Sequence, residues 1–340
     1  MTTQDADDRV VVLMHRLLLR VAGWAPDEVV RDARDRLARG LVPESARLVL
    51  EAVLGAGVPI AADDAELLAR VLPGTVMPAG AAPAIGHECP PFEFRPARPE
   101  PFPAGPTPLL LDLTGPETPG DDAAAVAALD QVAGPVALWR AWRSPRPGDP
   151  DGLPVRVYLL ETAGDAATLP DATARLQDAL GDAPVEAYGP GVELPPYQRM
   201  ARGRAALLWA SAEAGPVTVA RVFDSWAPVI GGQFRADHPL LAGDEAADVL
   251  GYLEQGHLLL ATTLREQDVY DTEAGAVVPA GFRTDGRFIW TDAVAYYLRT
   301  YALSPDPELL AHIRDRGCAM PPVDAVAEHR AMAALTNPAA

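Results

Sequence analysis

Eleven prolines occupy the thirty-six positions 73–108, and no other stretch limits the fold of this chain as firmly. A proline inside a helix removes a hydrogen bond and clashes with the preceding turn; inside a sheet it removes a ladder donor. The stretch therefore reads as neither helix nor ladder strand. It is an extended linker, or a strap laid over another surface. Phe92, Phe94 and Phe102 offer apolar anchors for a strap that docks.

Ahead of it the periodicity is helical. Val12, Leu13, Leu17 and Val21 form an apolar face ending near Gly23, and Pro26-Asp-Glu opens a second helix through Leu37. Pro43-Glu-Ser opens a third with Ala46, Val49, Leu50 and Val53 on one face, and a short fourth begins at Ala62. Residues 1–72 are thus expected to be a helical bundle. Helix-turn-helix binding would place 44–54 on DNA, but that segment offers Arg47 against Glu44 and Glu51, which argues against it.

Behind it the pattern mixes strands and helices. Leu109–Leu113, Val136–Arg143, Val155–Leu160, Val185–Tyr188 and Val217–Phe223 read as strands. Segments 121–132, 168–180 and Pro195–Ala210, the last despite Gly203, read as helices. This predicts a mainly antiparallel sheet with helices on one face. Trp139 and Trp142 are three apart and face opposite ways on a regular strand, so one is expected to be partly exposed. Residues 229–245 read as a loop.

The densest stretch lies between Ala276 and Leu298. Asp285-Gly286 is a strong two-residue hairpin signal, because both central positions of a type I′ turn need φ > 0. Arg287–Trp290 is the second strand, Thr291 is placed to cap a helix with its hydroxyl, and Val294, Tyr297, Leu298 and Tyr301 recur at helical spacing. The expected fold class is α+β: helical bundle (1–72), Pro-rich strap (73–108), mainly antiparallel α/β unit (109–231), ββα unit (245–317) and tail (318–340).

Composition excludes several chemistries. All 28 basic residues are arginines, so no Schiff base, phosphate-loop lysine or lysine base is available. The formal net charge of −19 repels phosphate backbones and anionic membranes. Nucleic acid and membrane are therefore not expected as partners, and a basic protein would be steered towards the chain. Cys89 and Cys318 are too far apart for a C-x-x-C pair and suggest a reducing compartment. The acidic start lacks a signal-peptide pattern, and no apolar run approaches the roughly 20 residues of a membrane span. A cytoplasmic location is expected.

Motif chemistry is sparse. His87-Glu88-Cys89 lacks the second ligand pair zinc needs, so no metal site is expected. No G-x-G-x-x-G follows a strand, so no dinucleotide cofactor is expected. There is no G-x-S-x-G and no H-E-x-x-H; His238, His257 and His312 are scattered singly. No catalytic residue is assigned. Arg199, Arg202 and Arg204 make a local basic patch, which reads as a solvated face.

The candidate binding residues are Arg283, Thr284, Asp285 and Arg287 at the hairpin, with Trp290 and Tyr296. Two guanidiniums there could hold an anion or an acidic patch of a partner. Against this, Asp-Gly is turn chemistry, and Trp290 and Tyr297 have the placement of core residues.

The block Val277 to Leu298, followed by Pro305-Asp-Pro-Glu-Leu-Leu-Ala-His-Ile, resembles one found in uncharacterised actinobacterial proteins that share an RTDG, aromatic, Trp, DAVAYYL pattern. Some of these resemble immunity proteins encoded beside polymorphic toxins. The resemblance covers the C-terminal end and carries over no catalytic residue. It implies a non-enzymatic protein-interaction role, such as neutralising a toxin. The alternative expectation is a small-molecule-binding protein or enzyme gripping an anionic substrate through Arg283 and Arg287.

Overall fold

The computed structural model describes residues 3–58, 60–75, 90–99, 107–115, 120–145 and 152–337. His87, Glu88, Cys89 and Phe102 lie outside these. The fold is α+β, and its contacts divide it into two compact units, Met1–Glu213 and Ala214–Ala340.

In the first unit, α1 (Thr3–Val21), α2 (Asp27–Ala38), α3 (Val42–Ala56) and α4 (Ala62–Val71) pack around Met14, Leu17, Val30, Leu37, Val49 and Leu68. The strap contributes β1 (Phe94–Arg95). The remaining elements are β2 (Leu111–Asp112), α5 (Ala123–Ala128), β3 (Pro135–Arg143), β4 (Val155–Thr162), α6 (Leu169–Leu180), β5 (Val185–Tyr188), α7 (Pro196–Arg202) and β6 (Ala206–Ala210). The sheet order is β2-β6-β3-β4-β5, with β1 added to β3. Its centre is antiparallel, while β2 joins β6 and β5 joins β4 in parallel.

Helices cover both faces of this sheet, where the sequence suggested one. Leu138 and Trp139 are neighbours on β3 pointing to opposite faces, and both are inaccessible. Helices α5 and α6 pack on the Leu138, Tyr158 and Leu160 face. Tyr197 of α7 and Asp27 of α2 meet Arg143, whose Nη1 donates to both (2.9 Å each).

The bundle and the sheet form one unit because buried polar groups join them. Arg34 Nη1 donates to Glu186 Oε1 (3.0 Å) and the Val185 carbonyl (2.6 Å), and Nη2 donates to Glu186 Oε2 (2.6 Å). Gln198 Nε2 bridges Glu186 Oε2 (2.7 Å) and the Leu19 carbonyl (2.8 Å). His15 Nε2 donates to the Ala187 carbonyl at 2.8 Å. Burial lowers the His15 imidazole to about 4 despite that hydrogen bond, so the ring is neutral in the folded chain.

Two segments differ from their local signals. Pro195–Ala210 is not one helix: α7 stops at Arg202, Gly203 ends it, and Ala206–Ala210 becomes a strand between β2 and β3. The helix-favouring Ala and Leu residues yield to that non-local pairing. In the strap, Phe94–Arg95 is a ladder strand, since its prolines flank the pair rather than interrupt it. Phe92 and Phe94 meet the Tyr197 ring edge-on, at 6.2 and 5.3 Å. Trp139 is buried, and Trp142 is half-buried beneath the guanidiniums of Arg98, Arg140 and Arg156.

The second unit begins before position 231. Of the expected strand 217–223 only β7 (Thr218–Val219) forms, and it pairs inside this unit. Next come β8 (Ser225–Ala227), β9 (Gly231–Gln233), α8 (Gly243–Gln255), β10 (His257–Leu260), β11 (Arg265–Gln267) and β12 (Ala276–Pro279). The ββα motif is β13 (Phe282–Thr284), β14 (Phe288–Thr291) and α9 (Asp292–Tyr301), followed by α10 (Pro307–Asp315) and α11 (Ala325–Thr336). The main sheet runs β10-β13-β14-β7. Trp290, Tyr252, Leu253, Val294, Leu298, Leu309 and Ile313 form the core beside it. Thr291 holds the backbone place of a cap, but its hydroxyl makes no capping bond and is buried without a partner among the described residues. No helix among the described residues is long and apolar enough to cross a membrane.

Candidate interaction surface

The β13–β14 turn is not the type I′ turn expected at Asp285-Gly286, because of the two only Gly286 has a positive φ (+89°). Asp285 is instead a buried carboxylate around which the turn is built. Asp285 Oδ1 accepts from the Arg287 and Phe288 amides (2.8 and 2.7 Å), and Oδ2 accepts from the Tyr252 hydroxyl (2.5 Å) and meets His312 Nε2 (2.7 Å). Burial pushes this carboxyl up, but the donors from Phe288, Tyr252, Arg287 and His312 outweigh burial and hold it below the ordinary value. Thr284 Oγ1, also buried, donates to the Phe288 carbonyl (2.7 Å) and accepts from the Gly286 amide (2.9 Å).

The arginines beside the turn, Arg283 half-buried and Arg287 exposed, both donate to groups of their own unit. Arg283 donates to Asp292 Oδ1 (2.7 Å) and to the Glu254 and Gly256 carbonyls (3.0 and 2.9 Å). Arg287 Nη1 donates to the Pro216 carbonyl at 2.7 Å. Trp290 is inaccessible, and its Nε1 donates to the Leu253 carbonyl (3.1 Å). The structure thus gathers Arg283, Thr284, Asp285, Arg287 and Trp290 in the ββα motif, where each holds backbone or core in place. Tyr296 stands apart from them.

Tyr296 belongs to a second cluster, centred on Asp268. That carboxylate is inaccessible and accepts from the hydroxyls of Tyr296 (2.7 Å) and Tyr301 (2.6 Å) and from the Tyr270 amide (2.8 Å). Hydrogen bonding to Asp268 pushes both phenols up. Tyr301 stacks on Tyr270 (4.9 Å) and Tyr297 (6.2 Å), and Tyr297 meets Phe234 (4.9 Å) and Phe223 (5.8 Å). A continuous aromatic cluster therefore runs from α9 to the base of the β8–β9 hairpin.

That base is tightly fixed. Asp224 Oδ2 accepts from the Arg235 amide (2.8 Å) and lies 2.9 Å from His238 Nδ1, while His238 Nε2 donates to the Ser304 carbonyl (3.0 Å). Gly232 lies against the Phe223 ring so closely that a Cβ would fall 2.1 Å from it, and only glycine fits. On this base stands an apolar tip: Trp226, Val229 and Ile230 are 68, 98 and 68 % exposed. Tyr270, beside Phe234, is also exposed.

Sequence reasoning missed this hairpin, Asp268, Tyr270 and Phe234. A signal was present: Trp226-Ala-Pro-Val-Ile-Gly-Gly places three large apolar residues around a proline and two glycines, with neither helical nor alternating spacing. Among the described residues no group of three or more His, Cys, Asp or Glu is arranged to hold a metal ion. No known protein family, curated protein or solved structure matches the chain.

Proposed function

We propose that the chain is a non-enzymatic interaction protein whose partner docks on the β8–β9 hairpin and the adjoining tyrosines. The supporting observation is the exposure of Trp226, Val229 and Ile230 on a base held by Asp224, His238 and Gly232. Covering each such side chain contributes about 1.5–3 kcal/mol, and a rigid hairpin loses little entropy when it docks. Trp and Tyr are the residue types enriched at the centres of interfaces. The net charge of −19 steers a basic partner to the chain.

The resemblance of the C-terminal block to immunity proteins makes a basic toxin the partner class we favour. The alternative, an anionic substrate gripped by Arg283 and Arg287, draws no support from their geometry, since both donate to groups of their own unit. Affinity capture in the source organism tests the proposal, using wild type and Trp226→Ser/Ile230→Ser. A stoichiometric basic protein held by wild type and released by the variant supports it; the same protein held equally by both moves the interface elsewhere.

A further inference from the structure

The first unit contains a cleft of about 610 Å³ between the strap, the turn from α7 to β6, and the segment leading into β2. Its size falls in the range of about 300–1,000 Å³ typical of small-ligand sites. Five consecutive strap residues, 92–96, form one wall, so the main chain itself borders the space.

Register shows which backbone groups face it. The Ser144 amide donates to the Glu93 carbonyl (2.9 Å), and Phe94 lies opposite Arg143. Backbone groups alternate sides along an antiparallel strand, so the Phe94 N–H and C=O point away from β3. Strand β6 pairs with β3 only as far as Ala206 opposite Arg140. Beyond that point β1 takes its place, and its outer edge is unpaired among the described residues.

The charges around the cleft are unequal. Arg95 lies 3.7 Å from Glu93, which also lines the space. Arg204 is exposed, and its guanidinium has no partner among the described residues. Leu109 and Met200 supply apolar walls. A strand edge and a guanidinium that are unpaired among the described residues, together with apolar walls, match the end of an extended peptide. The edge pairs with main chain, the walls take a side chain, and Arg204 takes a carboxylate.

We propose that this cleft binds the C-terminal end of an extended peptide, with Arg204 on its carboxylate and the Phe94 edge on its backbone. The proposal is independent of the hairpin surface. The test is calorimetric titration of the full chain with acetyl-Ala-Val-Phe bearing a free carboxylate, and with the same peptide amidated. We expect the free acid to bind, amidation and Arg204→Gln each to weaken binding at least tenfold, and the peptide to slow hydrogen exchange at the Phe94 amide. Arg204→Gln alters an exposed side chain, so its folding is checked simply by its unchanged melting. Absence of binding by the free acid, equal binding of acid and amide, or binding unchanged in Arg204→Gln would overturn the proposal.

Discussion

Arg34 of α2 and Glu186 of β5 face each other as a two-pronged ion pair, both side chains almost completely buried. The pair closes the helical bundle onto the sheet. Removing one member strands the other charge without water, at a cost of about 3–5 kcal/mol. Arg34→Met is therefore expected to lower the unfolding free energy by that amount. Arg34→Met/Glu186→Met should recover most of it, because two apolar side chains of similar size leave no orphaned charge. Chemical denaturation of the three variants checks this, and equal losses in single and double variants would contradict it.

His15 makes stability depend on pH in a defined window. Its folded value of about 4 lies below the ordinary 6.5, so the unfolded chain binds the extra proton first. The stabilisation is complete above pH 6.5 and is lost as pH falls towards 4. At full extent it is roughly 3 kcal/mol, from about 1.4 kcal/mol per pH unit. His15→Gln, which keeps a donor for the Ala187 carbonyl, should flatten the stability profile across this window. Denaturation midpoints measured between pH 7 and 4 read it directly.

Asp285 is expected to matter for folding rather than binding. Asp285→Ala leaves the Tyr252 hydroxyl and the Arg287 and Phe288 amides without their acceptor. At about 1–3 kcal/mol for each buried unsatisfied donor, the loss should be at least about 3 kcal/mol. Its carboxyl is held below the ordinary 3.8, so its contribution is present above that value and is lost as pH falls through the lower folded one. Arg287→Ala, at an exposed hydrogen bond, should cost about 1 kcal/mol or less. A variant of Asp285 that melts like wild type would refute the structural role.

Gly232→Ala should loosen the hairpin base, because the new Cβ would fall 2.1 Å from the Phe223 ring. Overpacking of this kind costs about 1–3 kcal/mol. Faster hydrogen exchange at the Asp224 amide, which donates to the Gln233 carbonyl, is the expected readout.

The ββα motif was legible because its signals are local: a glycine that takes a positive φ at the turn, strands beside it and a helix whose apolar residues recur within one or two turns. The type I′ geometry expected of Asp285-Gly286 does not form, since Asp285 has no positive φ. The duties of the motif's side chains were not legible. Arg283 answers to Asp292, Glu254 and Gly256, and Asp285 answers to Tyr252, 33 positions away. Two guanidiniums at a turn therefore looked available when they were committed. The same distance problem turned Ala206–Ala210 into an apparent helix, since its strand partners lie on β2 and β3. The β8–β9 hairpin, with three residues in each strand, is too short for alternation to register. Glu186 could have been suspected, as the one charge in the apolar run Pro184–Tyr188, but Arg34 sits in Arg31-Asp-Ala-Arg-Asp-Arg36 and carries no such signal.

Photo-crosslinking from the hairpin tip, in cells of the source organism, tests the central proposal most directly. With p-benzoylphenylalanine in place of Val229, one dominant adduct with a basic protein is expected, and none when the same probe replaces Arg287. No adduct at 229, or an adduct only at 287, would contradict it.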